Sequence, residues 1–235
     1  MTRADWSRVT AATQAVLDRL DATAIGDVYW HEDGARHFRD RRGAVVTAGR
    51  VLGKALLERV PTGGASLWVG AGLAELPVLL AEVLLHDRAV TAANLRQAEC
   101  DLLNAALQAA LPDVPLRYVA ADARDAAPGA TFDHLGCISV FTDPETFAVL
   151  SDVAYGRIAP VQLDVDRFVA ERERARTLAV ALFARLQRPG LVTTTAEEVA
   201  WFLETAAAAG AGVDAGDELL PTAVVGDPVG FLAVR

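Results

Sequence analysis

The stretch Ser66-Leu-Trp-Val-Gly-Ala-Gly-Leu-Ala-Glu75 decides how this chain is read. A short apolar run ends in Gly70-Ala71-Gly72 and passes at once into a helical pattern. The glycines let the backbone turn tightly and come close to a ligand. The helix that follows aims free N–H groups and the positive end of its dipole at whatever sits there. The pattern predicts a strand over 66–70, a nucleotide-sized cradle at the turn and a helix over 73–85.

Working outward, short β-rich runs alternate with helical ones: strand 88–93, helix 95–110, strand 116–120, then Phe132-Asp-His-Leu-Gly-Cys-Ile-Ser-Val140 as a fourth, central strand. A helix over 165–188, a turn at Arg188-Pro-Gly190, a strand over 191–195 and a helix over 196–209 follow. This βαβ alternation implies a parallel sheet with helices on both faces. Two β-rich runs at 222–225 and 229–234 are separated only by Gly226-Asp-Pro228. That link is too short for a crossover helix and predicts an antiparallel hairpin. Upstream, helices over 4–20 and 44–60, the second stopped by Pro61-Thr-Gly-Gly64, make residues 1–60 a helical extension that could act as a lid. Residues 61–235 form the main α/β domain.

Composition bounds the function classes. The chain has 235 residues, 52% hydrophobic and 23% charged, with a net charge of −9. No apolar run approaches the roughly 18 residues of a membrane span. The N-terminus has acidic residues and a helical period in place of a signal peptide's basic start and apolar block, so a cytoplasmic protein is expected. The net charge argues against a general phosphate-backbone binder and for a small-molecule substrate, with nucleic acid unlikely. Arg36, Arg39, Arg41 and Arg42, interleaved with Asp33 and Asp40, read as a solvated face. Cys100 and Cys137, one in a helix and one in a buried strand, read as small core residues, and no metal site is expected.

Five alternating strands closed by an antiparallel hairpin, with the glycine turn after strand one, resemble the class I S-adenosylmethionine (SAM) dependent methyltransferases over residues 61–235. The resemblance implies a three-layer Rossmann-like sheet of about seven strands in the order 3-2-1-4-5-7-6, with SAM or S-adenosylhomocysteine (SAH) across the carboxyl ends of strands one to three. It implies cofactor contacts from Gly70, Ala71 and Gly72 to the methionine part, from Asn94 and Leu95 at the ribose, from Asp122 and Ala123 at the adenine, and from Ser139 after strand four. Phe132-Asp133 resembles the family's opening of strand four, and Arg188-Pro-Gly190 its turn before strand five. Three positions depart from the pattern: Trp68 and Asn94 stand where the family usually has acids, and Ala74 where it has a third glycine.

In the family the acceptor site is roofed by the N-terminal extension and the loop after strand four. Here these are Tyr29-Trp-His-Glu-Asp-Gly-Ala-Arg-His37 and Ser139-Val-Phe-Thr-Asp-Pro-Glu145. His31 and His37 are candidate general bases, and Tyr29, Trp30, Phe141 and Tyr155 candidate pocket walls; each also reads as a surface or packing residue, which for a loop histidine is the commoner case. Asp143-Pro-Glu145 reads equally as a helix N-terminus, and His134 as a core residue. Three readings stay open: a SAM-dependent methyltransferase acting on a small molecule; a non-catalytic methyltransferase-like binding module, for which Trp68, Ala74 and Asn94 are the evidence; and, ranked last, an enzyme using another nucleotide on the same cradle.

Overall fold

A computed structural model of the chain describes residues 2–30, 32–223 and 226–235. Three helices open it: α1 (Arg3–Leu17), α2 (Ala22–Tyr29) and α3 (Gly34–Leu57). The capping box of Thr2 and Asp5 starts α1, and its apolar positions Trp6, Val9, Val16 and Leu17 are buried at helical spacing. α2 is capped by Asp21, whose side chain accepts the N–H groups of Thr23 and Ala24. Neither α2 nor the first ten residues of α3 was expected. Residues 34–43 carry a run of arginines with only Gly34 and Phe38 buried, so they lack an apolar stripe to read. The two helices meet backbone to backbone: a Cβ on Gly26 would lie 2.2 Å from the Gly34 carbonyl carbon.

The α/β part contains β1 (Ala65–Val69), α4 (Leu76–His86), β2 (Ala89–Asn94), α5 (Gln97–Ala110), β3 (Tyr118–Ala120), β4 (Phe132–Cys137), α6 (Ala148–Ala154), α7 (Val165–Phe183), β5 (Leu186–Thr195), α8 (Val199–Ala208), β6 (Val213–Ala215) and β7 (Val229–Val234). The strands form one sheet in the order β3-β2-β1-β4-β5-β7-β6. β1 to β5 are parallel, and β7 is antiparallel to β5 and β6. This is the expected three-layer Rossmann-like sheet.

Three details differ from the sequence reading. The strand paired with β7 in the terminal hairpin is Val213–Ala215, in register Val213↔Val234, and lies well before 222–225. Only three residues long, with Asp214 in its middle, it carries no β pattern. Thr222 and Ala223 are outside any strand, and Val224 and Val225 lie outside the described residues. α7 ends at Phe183, and Arg188-Pro-Gly190 falls inside β5 beside an irregularity in its pairing with β4. β4 stops at Cys137 because the chain turns at Ser139, which has φ 54°.

Alternation along β1 divides the core. Ser66 and Trp68 face α1, α3, α4 and α5, while Leu67 and Val69 face α7 and α8. The N-terminal helices share the first of these cores: Trp6, Val16, Leu56 and Leu79 belong to one buried cluster, and Pro77 of α4 sits against Gly49 of α3, where a Cβ would be 2.6 Å away. Trp68 is part of this packing. Its indole N–H donates to Glu82 at 2.6 Å, and its ring covers Gly136, where a Cβ would come within 2.2 Å. Glu82 is paired with buried Arg88 at 2.9 Å and accepts a hydrogen bond from Ser66. His134 joins the same network through Ser66 and Thr193, and burial followed by the Arg88 charge pushes its pKa down to about 3. His134 is therefore a neutral core residue, as read.

Candidate functional site

A cavity of about 1360 Å³ opens at the carboxyl ends of β1, β2, β3 and β4. Pockets for small ligands run from roughly 300 to 1,000 Å³, so this one has room for a nucleoside cofactor beside a second group. Of the site residues named from the sequence, Tyr29, Trp30, Gly70, Gly72, Asn94, Leu95, Asp122, Ala123, Ser139 and Tyr155 line it. Gly70, at φ 68°, faces open space; a Cβ there would meet only the Val140 side chain, at 3.3 Å. Leu95 offers an apolar side chain at the mouth, 64% exposed. Asp122 accepts the backbone N–H of Arg124 and pairs with its guanidinium at 2.6 Å, which holds its carboxyl below the usual range.

Three named residues are placed differently. Ala71 is buried inside the loop, its carbonyl accepting the Asn94 amide at 2.8 Å. Phe141 is 1% exposed and packs among Phe147, Trp201 and Phe202, so it is a core residue and no pocket wall. His37 is exposed on α3 beside Trp30 and does not line the cavity, because the helix starts at Gly34 and turns it outward. His31 lies outside the described residues. The four arginines from Arg36 to Arg42 sit on the outer side of α3, where Arg36 pairs with Asp40, Arg42 with Asp18, and Arg41 donates to the Ala223 carbonyl.

The glycine turn is surrounded by carboxylates that sequence reasoning missed. Glu75, in the opening turn of the helical segment, accepts the Gly72 N–H at 2.8 Å; burial pushes its pKa up to about 7. Glu99, in the first turn of α5, accepts the Leu73 N–H at 3.2 Å and the Tyr29 hydroxyl, and burial raises its pKa as well. Tyr29 accepts the same Leu73 N–H at 2.9 Å, so the end of α2 is fastened to the turn. A Cβ on Gly72 would lie 2.2 Å from Glu99 and 2.5 Å from the Tyr29 hydroxyl. Asn94 is drawn into this group. Its amide donates to Ala71 and, at 3.1 Å, to Glu99, while its oxygen accepts the Arg96 N–H at 2.9 Å. Asn94 thus spends its hydrogen-bonding capacity on the loop. Arg96 reaches from the loop after β2 to Glu145 at 3.1 Å and Asp143 at 3.5 Å, spanning the mouth. Asp143-Pro-Glu145 forms a turn ahead of α6.

Beside the glycine turn, where the chain leaves β4, Ser139 donates to Asp227 at 2.8 Å, and the Tyr155 hydroxyl donates to the same carboxylate oxygen. Burial, then the Asp227 contact, pushes the Tyr155 phenol up to about 12. Beneath this end, buried Glu198 accepts the N–H groups of Phe141 at 2.6 Å and Thr142 at 3.1 Å, holding the loop after β4. Among the described residues no group of three or more histidine, cysteine or acidic side chains forms a metal cluster, and no helix is long and apolar enough to cross a membrane.

No protein-family model matches the sequence, and no curated protein is similar to it in sequence. Solved structures do match. The 16S rRNA methylase RmtB is similar over 100% of this chain and 76% of its own, at 14% identity and TM-score 0.51. An rRNA methylase from Escherichia coli is similar over 100% and 78%, also at 14% and 0.51. TrmN from Thermus thermophilus is similar over 79% of this chain at 19% identity and TM-score 0.49, and the chain spans only 48% of TrmN's length. The fold is that of the class I SAM-dependent methyltransferases. These matches overturn the expectation of a small-molecule substrate with nucleic acid unlikely, since two structures that the whole chain matches are rRNA methylases. A net charge is an average over the whole surface and does not by itself exclude a nucleic-acid substrate.

Proposed function

We propose that the chain binds SAM in the cavity above β1 to β4 and transfers its methyl group. One observation carries the reading: the glycine turn at Gly70 presents bare backbone to a cavity that continues past Leu95 to Asp122. Gly70 suits the methionine part, Leu95 and Ala123 the faces of a purine, and Asp122 an exocyclic amine. The carboxyl group of Glu75, at the cavity wall, is suited to the cationic end of the ligand. When bound, SAM would supply an electrophilic methyl group. The protein's part is to orient it and exclude water, since such a displacement depends mostly on positioning. RNA is the acceptor class to try first, because the N-terminal helices fall within the matches to the two rRNA methylases.

The non-catalytic reading keeps one observation in its favour: the Gly72 and Leu73 N–H groups already have acceptors in Glu75, Glu99 and Tyr29. Melting with SAM and SAH separates the two. Ligand at about 100 times its dissociation constant stabilises by roughly 2.7 kcal/mol, which is roughly 5–10 °C at this size. Asp122→Ala is expected to weaken binding, and tritium transfer from labelled SAM into rRNA or tRNA to report turnover. No melting shift at millimolar ligand would sink the methyltransferase reading.

A further inference from the structure

Ser139, Asp227 and Tyr155 form a hydrogen-bonded group where the chain leaves β4. Ser139 is one of three non-glycine residues with positive φ among the described residues, at 54°, a conformation that costs a side-chain-bearing residue roughly 1–2 kcal/mol. That turn aims its hydroxyl at Asp227. Tyr155, just after α6, reaches the same oxygen, Oδ2, from another side. The second oxygen, Oδ1, has no partner among the described residues, and Asp227, Ser139 and Tyr155 all line the cavity. Asp227 is 8% exposed as a residue, so most of its side chain is packed. A carboxylate held on one oxygen and open on the other suits a group that takes a hydrogen bond from a ligand.

Its position says which part of a ligand it would meet. β1 and β4 are neighbours in register Val69↔Cys137, so the Gly70 turn and Ser139 leave the sheet side by side. The Val140 side chain is the neighbour of Gly70 across this gap. Asp227 therefore stands on the glycine-turn side of the cavity, away from Leu95 and Asp122.

We propose that Asp227 is the proton acceptor for the methyl-accepting group, and that this group is a nitrogen or oxygen still carrying a hydrogen. The assignment rests on the SAM reading above. Asp227 Oδ1 accepts the hydrogen bond of that N–H or O–H and orients its lone pair. It takes the proton as the lone pair forms the new bond to carbon and the carbon–sulfur pair passes to sulfur, leaving SAH. Ser139 and Tyr155 are positioning residues that fix the carboxylate.

The test needs no acceptor. Sinefungin carries an amine-bearing carbon where SAM has its methylated sulfonium, so its ammonium projects to where the acceptor would sit. By titration calorimetry the wild-type protein is expected to bind sinefungin roughly tenfold more tightly than SAH, the worth of one charge-assisted hydrogen bond. Asp227→Asn should bring the ratio to about one while SAH affinity stays within about twofold. Asp227→Glu, which keeps the charge, should retain a severalfold preference. A ratio unchanged by Asp227→Asn, or lost equally in Asp227→Glu, overturns the assignment and leaves the SAM reading standing. Failure of the wild-type protein to bind SAH and SAM at all overturns both.

Discussion

Replacing Glu198 by Gln should change the pH dependence of stability while sparing the fold. Glu198 is fully buried, and its Oε1 takes the N–H groups of Phe141 and Thr142 and the Thr142 hydroxyl, while Thr194 approaches Oε2 at 3.4 Å. These bonds favour the anion, but burial outweighs them and lifts the pKa from 4.5 to about 8. Between those values the folded chain keeps the proton that the unfolded chain releases. The contribution to stability is thus complete below pH 4.5 and is lost as pH rises to about 8. At 1.36 kcal/mol per pKa unit, a shift of this size sets a ceiling of roughly 5 kcal/mol. Gln keeps a carbonyl for the same N–H groups and an amide that can donate to Thr194, without the titration. Urea denaturation at pH 5, 7 and 9 should therefore give near-equal stabilities at pH 5 and a variant more stable by a few kcal/mol at pH 9. Burial likewise raises Glu75, Glu82 and Glu99 in both proteins, so the difference between the two curves isolates Glu198. Parallel curves from pH 5 to 9, or a variant weaker at pH 9, would refute the reasoning.

Two further substitutions test the unusual positions. Gly136→Ala would drive a Cβ into the ring of Trp68, which is pinned by its bond to Glu82; a loss of roughly 1–3 kcal/mol in chemical denaturation is expected. Because the two residues share one contact, adding Trp68→Leu should cost clearly less than the sum of the single changes, and strict additivity would count against the contact. Asn94→Asp brings back the family's acid but sets a carboxylate against the Ala71 carbonyl and Glu99, so stability should fall by roughly 1–3 kcal/mol with no gain in SAH affinity. Tighter SAH binding with unchanged melting would show that position 94 still serves the ribose.

The fold was legible where a local pattern and a global constraint coincided. The apolar run to Gly70 could only be a strand entering a turn, and the alternation beyond it could only be a parallel sheet. Elements with a short or sparse apolar pattern stayed hidden: α2 is eight residues long with Ile25 as its one large buried side chain, the arginine-rich start of α3 buries only Gly34 and Phe38, and the two meet through a glycine–glycine backbone contact. β6 was misplaced for the same reason. Three residues with Asp214 among them carry less signal than the valine-rich run at 222–225, and what makes them a strand is the neighbouring edge of β7.

The site was legible through its backbone and illegible through its acids. Gly70 and the loop at Asp122 are recognisable because turn chemistry is local. Glu75, Glu99 and Asp227 matter because of the direction in which a helix turn or a loop points them, and that depends on partners far along the chain: Tyr29 for Glu99, Ser139 and Tyr155 for Asp227. The departures at Trp68 and Asn94 then acquire a common cause. Trp68 is turned into the core, where buried Glu82 receives its N–H, and Asn94 is drawn into the loop by Glu99, so neither position is free to carry a cofactor acid. The carboxylate nearest the glycine turn comes instead from Glu75, four residues from Ala71 in sequence and within reach of the Gly72 N–H. Without an acid at 68 or 94, the candidate site still has a carboxyl group at its glycine turn, on the helical side of the loop.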